Sequence, residues 1–241
     1  MKKLLSLLTI FTLVASQSFA ASGGVALPEQ PWAFKNVKAD WDKEKIYRGY
    51  QVATQVCLAC HGFKYIKHRD LMKVGFTEAE VKKLAEEMEM SIDDTFKSAL
   101  SDEDAIAVYA KPLPDLSVMN KARPGGADYT HALLTGYEEA PAGFNLPDSG
   151  YYNKYFPGHV IAMPAPLSEG QIDYFDGTNA SVAQMAKDVT YFMQWTAEPE
   201  LAERQQLGVY VLLYVFILAV LLYFTKKRIW SDVKRKREGD E

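Results

Sequence analysis

The chain has 241 residues, 48% of them hydrophobic, with 27 Lys and Arg against 31 Asp and Glu and only 2 Cys. That length suits one domain with accessory segments; two cysteines exclude a disulfide-stapled scaffold, and the charge balance excludes a basic nucleic-acid-binding protein. The charge is also unevenly placed: residues 21–205 hold 18 Lys and Arg against 27 Asp and Glu, whereas residues 226–241 hold 7 against 4. An acidic central domain disfavours nucleic acid and anionic lipid and attracts a basic soluble protein.

Residues 1–20, MKKLLSLLTIFTLVASQSFA, open with two lysines, run apolar from Leu4 to Ala15 and end on Ser18, Phe19 and Ala20. Charge, short apolar core and small residues at the cleavage positions are the signature of a secretory signal peptide. DWDKEKIYRGYQVATQVC predicts a helix with Asp42 as N-cap and Ile46, Tyr50, Ala53 and Cys57 on one face. Further on, TEAEVKKLAEEMEM predicts a second helix, with a Thr77/Glu80 capping box and a stripe of Val81, Leu84, Ala85 and Met88. Acidic residues gather on its outer side and beyond: Glu86, Glu87, Glu89, Asp93, Asp94, Asp102, Glu103 and Asp104.

Residues 111–127 contain three prolines and two glycines and read as loop. DYTHALLTGY predicts a short helix capped by Asp128 and stopped near Gly136, and 137–180, with five prolines, reads as irregular. SVAQMAKDVTYFMQWTAEPE predicts an amphipathic helix with a Ser181/Gln184 capping box, broken at Pro199 and placed to cross the first helix. Within a spanning segment at 206–225, Leu207 to Thr225 carries no charge. At 1.5 Å per residue that run covers a hydrocarbon layer of about 30 Å. Tyr210, Tyr223 and Trp230 suit the interfacial belt, and the basic cluster after the span puts 226–241 on the cytoplasmic side and 21–205 outside.

The chemistry concentrates at QVCLACHGFKYIKHRDL. Cys57, Cys60 and His61 form a C-x-x-C-H motif, in which two thiols on one turn add to haem vinyl groups and the adjacent imidazole binds the iron. Two sulfurs are too few for a structural zinc site, and no βαβ pattern supports a thioredoxin-like pair. The opposite face of the iron decides the class of function: a thioether or second imidazole makes an electron carrier, an open position a reactor. Met88, Met185 and Met193 fall on predicted helices, where methionine is core filler. Met163, in the proline-stiffened apolar stretch FPGHVIAMPAPL, is the preferred sixth ligand, with Met119, in a loop, and His159 as alternatives. His68 and His131 read as partly exposed or hydrogen-bonded structural residues.

Taken with RGYQVATQVCLACHGFKYIKHRDL, the stretches PDLSVMNKARPGGADYTHALLTGY, YYNKYFPGHVIAMPAPL and FDGTNASVAQMAKDVTYFMQWTAEPE resemble the cytochrome c1 family. These are the haem subunits of ubiquinol:cytochrome c oxidoreductase (cytochrome bc1) complexes of the alphaproteobacterial and mitochondrial type. The resemblance implies a mainly α, class I cytochrome c-like domain with long loop insertions, plus one C-terminal transmembrane helix. It implies one covalently bound haem c, thioether links at Cys57 and Cys60, His61 and Met163 as axial iron ligands, Arg123 as partner of a haem propionate, and Pro114, Tyr129 and Phe156 lining the pocket. The implied partners are cytochrome b, the Rieske iron-sulfur protein as electron donor and a basic soluble or tethered cytochrome c as acceptor, within a dimeric complex in the bacterial inner membrane with its haem domain on the periplasmic side. Such a chain is no enzyme alone but the electron-carrying subunit of the reductase; an anchored carrier of another reductase or oxidase is the alternative. One departure stands out: the family commonly has a longer segment and paired prolines before PDLS, where this chain reads Leu113-Pro114.

Overall fold

The computed structural model describes residues 25–36 and 39–239, with side chains as far as Ser231. The expected signal peptide at 1–20 and the side chains of the basic cluster at 234–237 lie outside the described residues. The chain divides into two units. One comprises residues 25–31 and Trp41–Pro199, and the other Trp32–Asp40 together with the chain from Glu200.

In the first unit, α1 (Lys43–Gln55) leads through a 3-10 turn (Cys57–Ala59) into strand β1 (Phe63–Lys67) and a second 3-10 stretch (His68–Val74). Next come α2 (Glu78–Glu86), β2 (Thr95–Phe96), α3 (Asp102–Tyr109), the one-turn α4 (Met119–Ala122), α5 (Gly126–Thr135), β3 (Tyr151–Tyr152), β4 (Val160–Ile161) and α6 (Val182–Ala197). β1 pairs antiparallel with β2 through Phe63–Phe96, with a bulge before Lys67, and β3 pairs antiparallel with β4. Helices dominate and the two sheets are small ribbons, which is the mainly α architecture expected.

The caps explain where helices begin. Asp42 accepts from the amides of Glu44 and Lys45 at 3.0 and 3.1 Å, as predicted. Thr77 and Glu80 form the reciprocal box, the Thr77 amide donating to Glu80 at 2.6 Å and the Glu80 amide to Thr77 Oγ1 at 3.2 Å. Only half of the expected Ser181/Gln184 box exists: Ser181 accepts from the Gln184 amide, but the Gln184 side chain donates to Asp188 at 2.8 Å. Asp128 is not a cap. α5 starts earlier, at Gly126 after the left-handed Gly125 (φ 87°), and the buried Asp128 accepts from the Gln30 amide at 3.0 Å. The 111–127 stretch is likewise not all loop, since Met119 opens α4; α2 ends before Met88, and Cys57 belongs to the 3-10 turn instead of the helix.

α1 crosses α6, and the crossing is close because position 49 has no side chain. A Cβ at Gly49 would run into the Asp188 carbonyl oxygen and stand 2.5 Å from Phe192 Cβ. Around the crossing, Phe63, Phe96 and Phe192 meet pairwise edge to face, with centroids 5.5–6.3 Å apart, in the favoured aromatic geometry. Ile46, Val52, Met185, Val189 and Trp195 fill the same core. Arg48 braces it, its Nη1 2.8 Å from Asp176 Oδ2 and its Nε 3.2 Å from Asp188 Oδ2. Burial pushes the Asp188 carboxyl above its ordinary value, against the pull of Gln184 and Arg48.

His68 departs from expectation. It is fully buried, tilted over Phe96 at 4.1 Å, and neither ring nitrogen has a hydrogen-bond partner among the described residues. Its ring lies against Phe96 of β2, and burial lowers its pKa to about 4, against the pull of Asp94. His131 is also buried.

In the second unit, α7 (Leu201–Gly239) is one continuous helix of 39 residues. Its stretch Leu201–Ser231 is long and apolar enough to cross a membrane. The segment before Asp40 belongs with its first turns: the Ala39 amide donates to Gln205 Oε1 at 2.8 Å, and Trp32 stacks on Phe34 at 5.3 Å.

Candidate functional site

The motif turn forms because α1 runs out of helical hydrogen bonds at Val56 and tightens. The amides of Cys60 and His61 both donate to the Cys57 carbonyl, at 3.0 and 2.8 Å. Both thiols are free and half-buried. Burial, with Cys60 beside it, pushes the Cys57 thiol up to about 12, so the sulfur stays protonated and apolar.

His61 is aimed by the PDLS segment. Its Nδ1 lies 2.8 Å from the Pro114 carbonyl oxygen. A carbonyl has no hydrogen to give, so Nδ1 carries the proton and the lone pair is left on Nε2, the tautomer that binds a metal. Burial holds the imidazole below its ordinary pKa, against the pull of the Pro114 carbonyl and Asp115. Asp115 keeps that carbonyl in place: its Oδ2 accepts from the Lys64 amide at 2.8 Å and its Oδ1 from the Ser117 amide at 3.0 Å. The Leu116 amide donates to Gly62 O at 2.8 Å, and Thr196 of α6 donates to the Ser117 carbonyl at 3.1 Å. A cavity of about 230 Å³ behind this turn is bordered by Cys60, Gly62, Leu100, Ala105 and Leu113, and neither His61 nor Met163 lines it.

A second group of expected site residues is built on α5 and the loop beyond it. Arg123, exposed at the end of α4, lies near enough to Tyr129 for its charge to favour the ionised phenol, although burial wins and raises the Tyr129 pKa. Tyr129 in turn lies near Tyr137, whose hydroxyl donates to the Met163 carbonyl at 3.1 Å. Met163 itself is half-buried, just after β4. The Phe156 amide donates to Asn153 Oδ1 at 3.2 Å, and Asn153 Nδ2 donates to the Leu133 carbonyl at 2.8 Å, so the 153–156 turn is pinned to α5. His159 sits in the left-handed region (φ 62°) with Nδ1 3.3 Å from the Asn153 carbonyl, stacked at 5.6 Å on Tyr152. That ring is tied into its own turn.

Both groups are mounted on α6. The first reaches it through Thr196 and the α1 crossing. The second reaches it through Asn120, which donates to the Thr190 carbonyl at 3.1 Å and accepts from Thr130 of α5 at 2.6 Å. The residues missed by sequence reasoning are Asp115, Tyr137 and Asn153. Each acts through backbone atoms of another residue, which leaves no spacing pattern to read. Among the described residues no three His, Cys, Asp or Glu cluster to hold a metal ion. An ion bound at His61 therefore has to bring ligands of its own, as a porphyrin does. Two free thiols beside an imidazole with its Nε2 lone pair available fit a covalently attached haem.

The profile of the cytochrome C1 family matches residues 32–233. Cytochrome c1 of Rhodospirillum rubrum is 38% identical over 251 residues, covering 89% of this chain and 91% of that protein. A mitochondrial relative from Saccharomyces cerevisiae, described as cytochrome c1, heme protein, is 38% identical over 94% of this chain and 79% of its own length. The cytochrome b/c1 protein of Bradyrhizobium diazoefficiens is also 38% identical, over 88% of this chain but 37% of its own, longer sequence. With the profile spanning the motif turn, the Met163 loop and the apolar helix alike, this chain belongs to the cytochrome c1 family.

Proposed function

We propose that the chain is the membrane-anchored monohaem cytochrome of a quinol:cytochrome c reductase (bc1) complex, taking single electrons from the Rieske iron-sulfur protein and passing them to a cytochrome c. The observation that carries this reading is the His61–Pro114 hydrogen bond beside two free thiols, which prepares one imidazole nitrogen for a metal. When bound, the haem supplies a one-electron ferric/ferrous couple. Cys57 and Cys60 would hold it covalently through their sulfurs. His61 and Met163 would ligate its iron, Arg123 would pair with a propionate, and Tyr129, Pro114 and Phe156 would shield the site from water. No acid, base or nucleophile is required; the residues act by fixing ligands and excluding solvent, which set the potential.

α7 serves as the anchor, with the acidic domain on the periplasmic side and the basic tail in the cytoplasm. The exposed Asp102, Glu103 and Asp104 in the first turn of α3 add to an acidic surface that attracts a basic cytochrome c. Cytochrome b in the same membrane completes the complex. A reduced-minus-oxidised spectrum of membranes carrying the full chain, with haem-stained gels and identification of co-purifying subunits, tests the assignment. The expected result is one c-type haem on this chain, co-purifying with cytochrome b and lost on Met163→Lys as a functional couple. A Met163→Lys potential equal to that of the wild type would remove Met163 from the iron, and purification without cytochrome b would remove the chain from the complex.

A further inference from the structure

We propose that Tyr137 is a positioning residue that holds the sulfur-bearing loop in register with the iron by hydrogen-bonding the Met163 main chain. This rests on Met163 being the sixth ligand, as proposed above.

The Met163 carbonyl lies beyond the last pair of the β3–β4 ribbon, Tyr151–Ile161, so no ladder hydrogen bond reaches it. Pro164 and Pro166 follow, and proline has no N–H with which to build a local turn. Stiff within itself, the loop still needs a tie to the rest of the domain. The Tyr137 hydroxyl supplies one, 3.1 Å from the Met163 carbonyl oxygen.

The tie matters only if Tyr137 is itself fixed, and it is. It follows Gly136, the C-cap of α5, where a Cβ would stand 2.6 Å from Tyr155 Cδ2 and 2.7 Å from the Ala132 carbonyl oxygen. Its backbone bridges to Asn153, which is fully buried. The Lys154 amide donates to the Gly136 carbonyl at 2.9 Å, and the Asn153 amide donates to the His159 carbonyl at 3.0 Å. The hydroxyl is thus delivered from a rigid platform, and it engages main chain, leaving the thioether free for the metal. Outer groups that orient a ligand in this way typically change metal affinity tenfold or more when removed.

The test uses the full chain in membranes and compares Tyr137→Phe, Met163→Leu and the control Tyr151→Phe, an exposed tyrosine on β3. Three properties are read: haem per chain, the weak near-infrared band of ferric thioether-ligated haem, and carbon monoxide binding to the reduced protein. Tyr137→Phe keeps the ring and loses one hydrogen bond. The fraction of iron without its thioether then rises about fivefold, and apparent carbon monoxide affinity rises by the same factor. The band weakens at unchanged haem content, while Tyr151→Phe matches the wild type. A Tyr137→Phe protein with wild-type band and carbon monoxide binding, beside a Met163→Leu protein that has lost the band, would overturn the role of Tyr137 and leave the ligand standing. So would loss of haem from Tyr137→Phe, which would make it a folding residue. A band retained in Met163→Leu would overturn the ligand assignment itself.

Discussion

His61 Nδ1 donates to the carbonyl oxygen of Pro114 across 2.8 Å, and Asp115, the next residue, holds that carbonyl by accepting from the amides of Lys64 and Ser117. A firm acceptor on Nδ1 makes the imidazole a better electron donor at Nε2, which would favour the ferric state of an iron held there. Asp115→Ala frees two backbone amides and slackens the carbonyl. The expected outcome is a loss of about 1–3 kcal/mol in stability and a raised midpoint potential, checked by denaturant unfolding and redox titration.

Arg48 binds two carboxylates from different parts of the chain, and Asp188 is the more buried of them. Arg48→Ala leaves Asp188 without its cation in the α1–α6 interface. The expected cost is about 3–5 kcal/mol, whereas the double variant Arg48→Met, Asp188→Leu recovers much of it, because the penalty belongs to the stranded charge. Thermal unfolding of the haem domain checks both.

His68 makes stability depend on pH in a defined direction. Its folded pKa of about 4 lies below the ordinary 6.5, so the folded state binds the proton less readily than the unfolded chain. The neutral ring's contribution is complete above pH 6.5 and is lost as pH falls through that value towards 4. At the lower limit the loss is about 3 kcal/mol. Phe96 gives the ring no polar partner, and the charge of Asp94, which favours protonation, does not outweigh burial. His68→Phe is expected to flatten the acid limb of a stability–pH curve between pH 6.5 and 4.

Gly49→Ala tests the helix crossing. On an isolated helix the change is favourable by about 1 kcal/mol. Here the added methyl meets the Asp188 carbonyl and Phe192 Cβ, both on the facing helix. Separation of α1 from α6 is expected to cost about 1–3 kcal/mol and to lower haem incorporation, since the motif turn is the direct continuation of α1. Haem content per chain and unfolding midpoint measure the two effects.

What could be read in the chain itself is what depends on neighbours in sequence. Asp42 and the Thr77/Glu80 pair cap their helices because a side chain one turn from an amide can reach it. Likewise the C-x-x-C-H spacing is one tight turn, and 19 uncharged residues form a helix long enough to span whatever surrounds them. The crossing of α1 and α6 was legible too, since both sequences read as helices with an apolar stripe, although α6 is buried on every side from Asp188 to Thr196. Asp128 was misread because its sequence position suits a cap while tertiary contact with Gln30 claims its carboxylate and Gly125 turns the chain instead. His68 was misread because nothing local announces burial beneath Phe96. Tertiary structure alone decided which carbonyl meets His61 and which hydroxyl meets Met163. Those bonds join positions 53 and 26 residues apart through backbone oxygens that every residue possesses, so only the folded chain selects them.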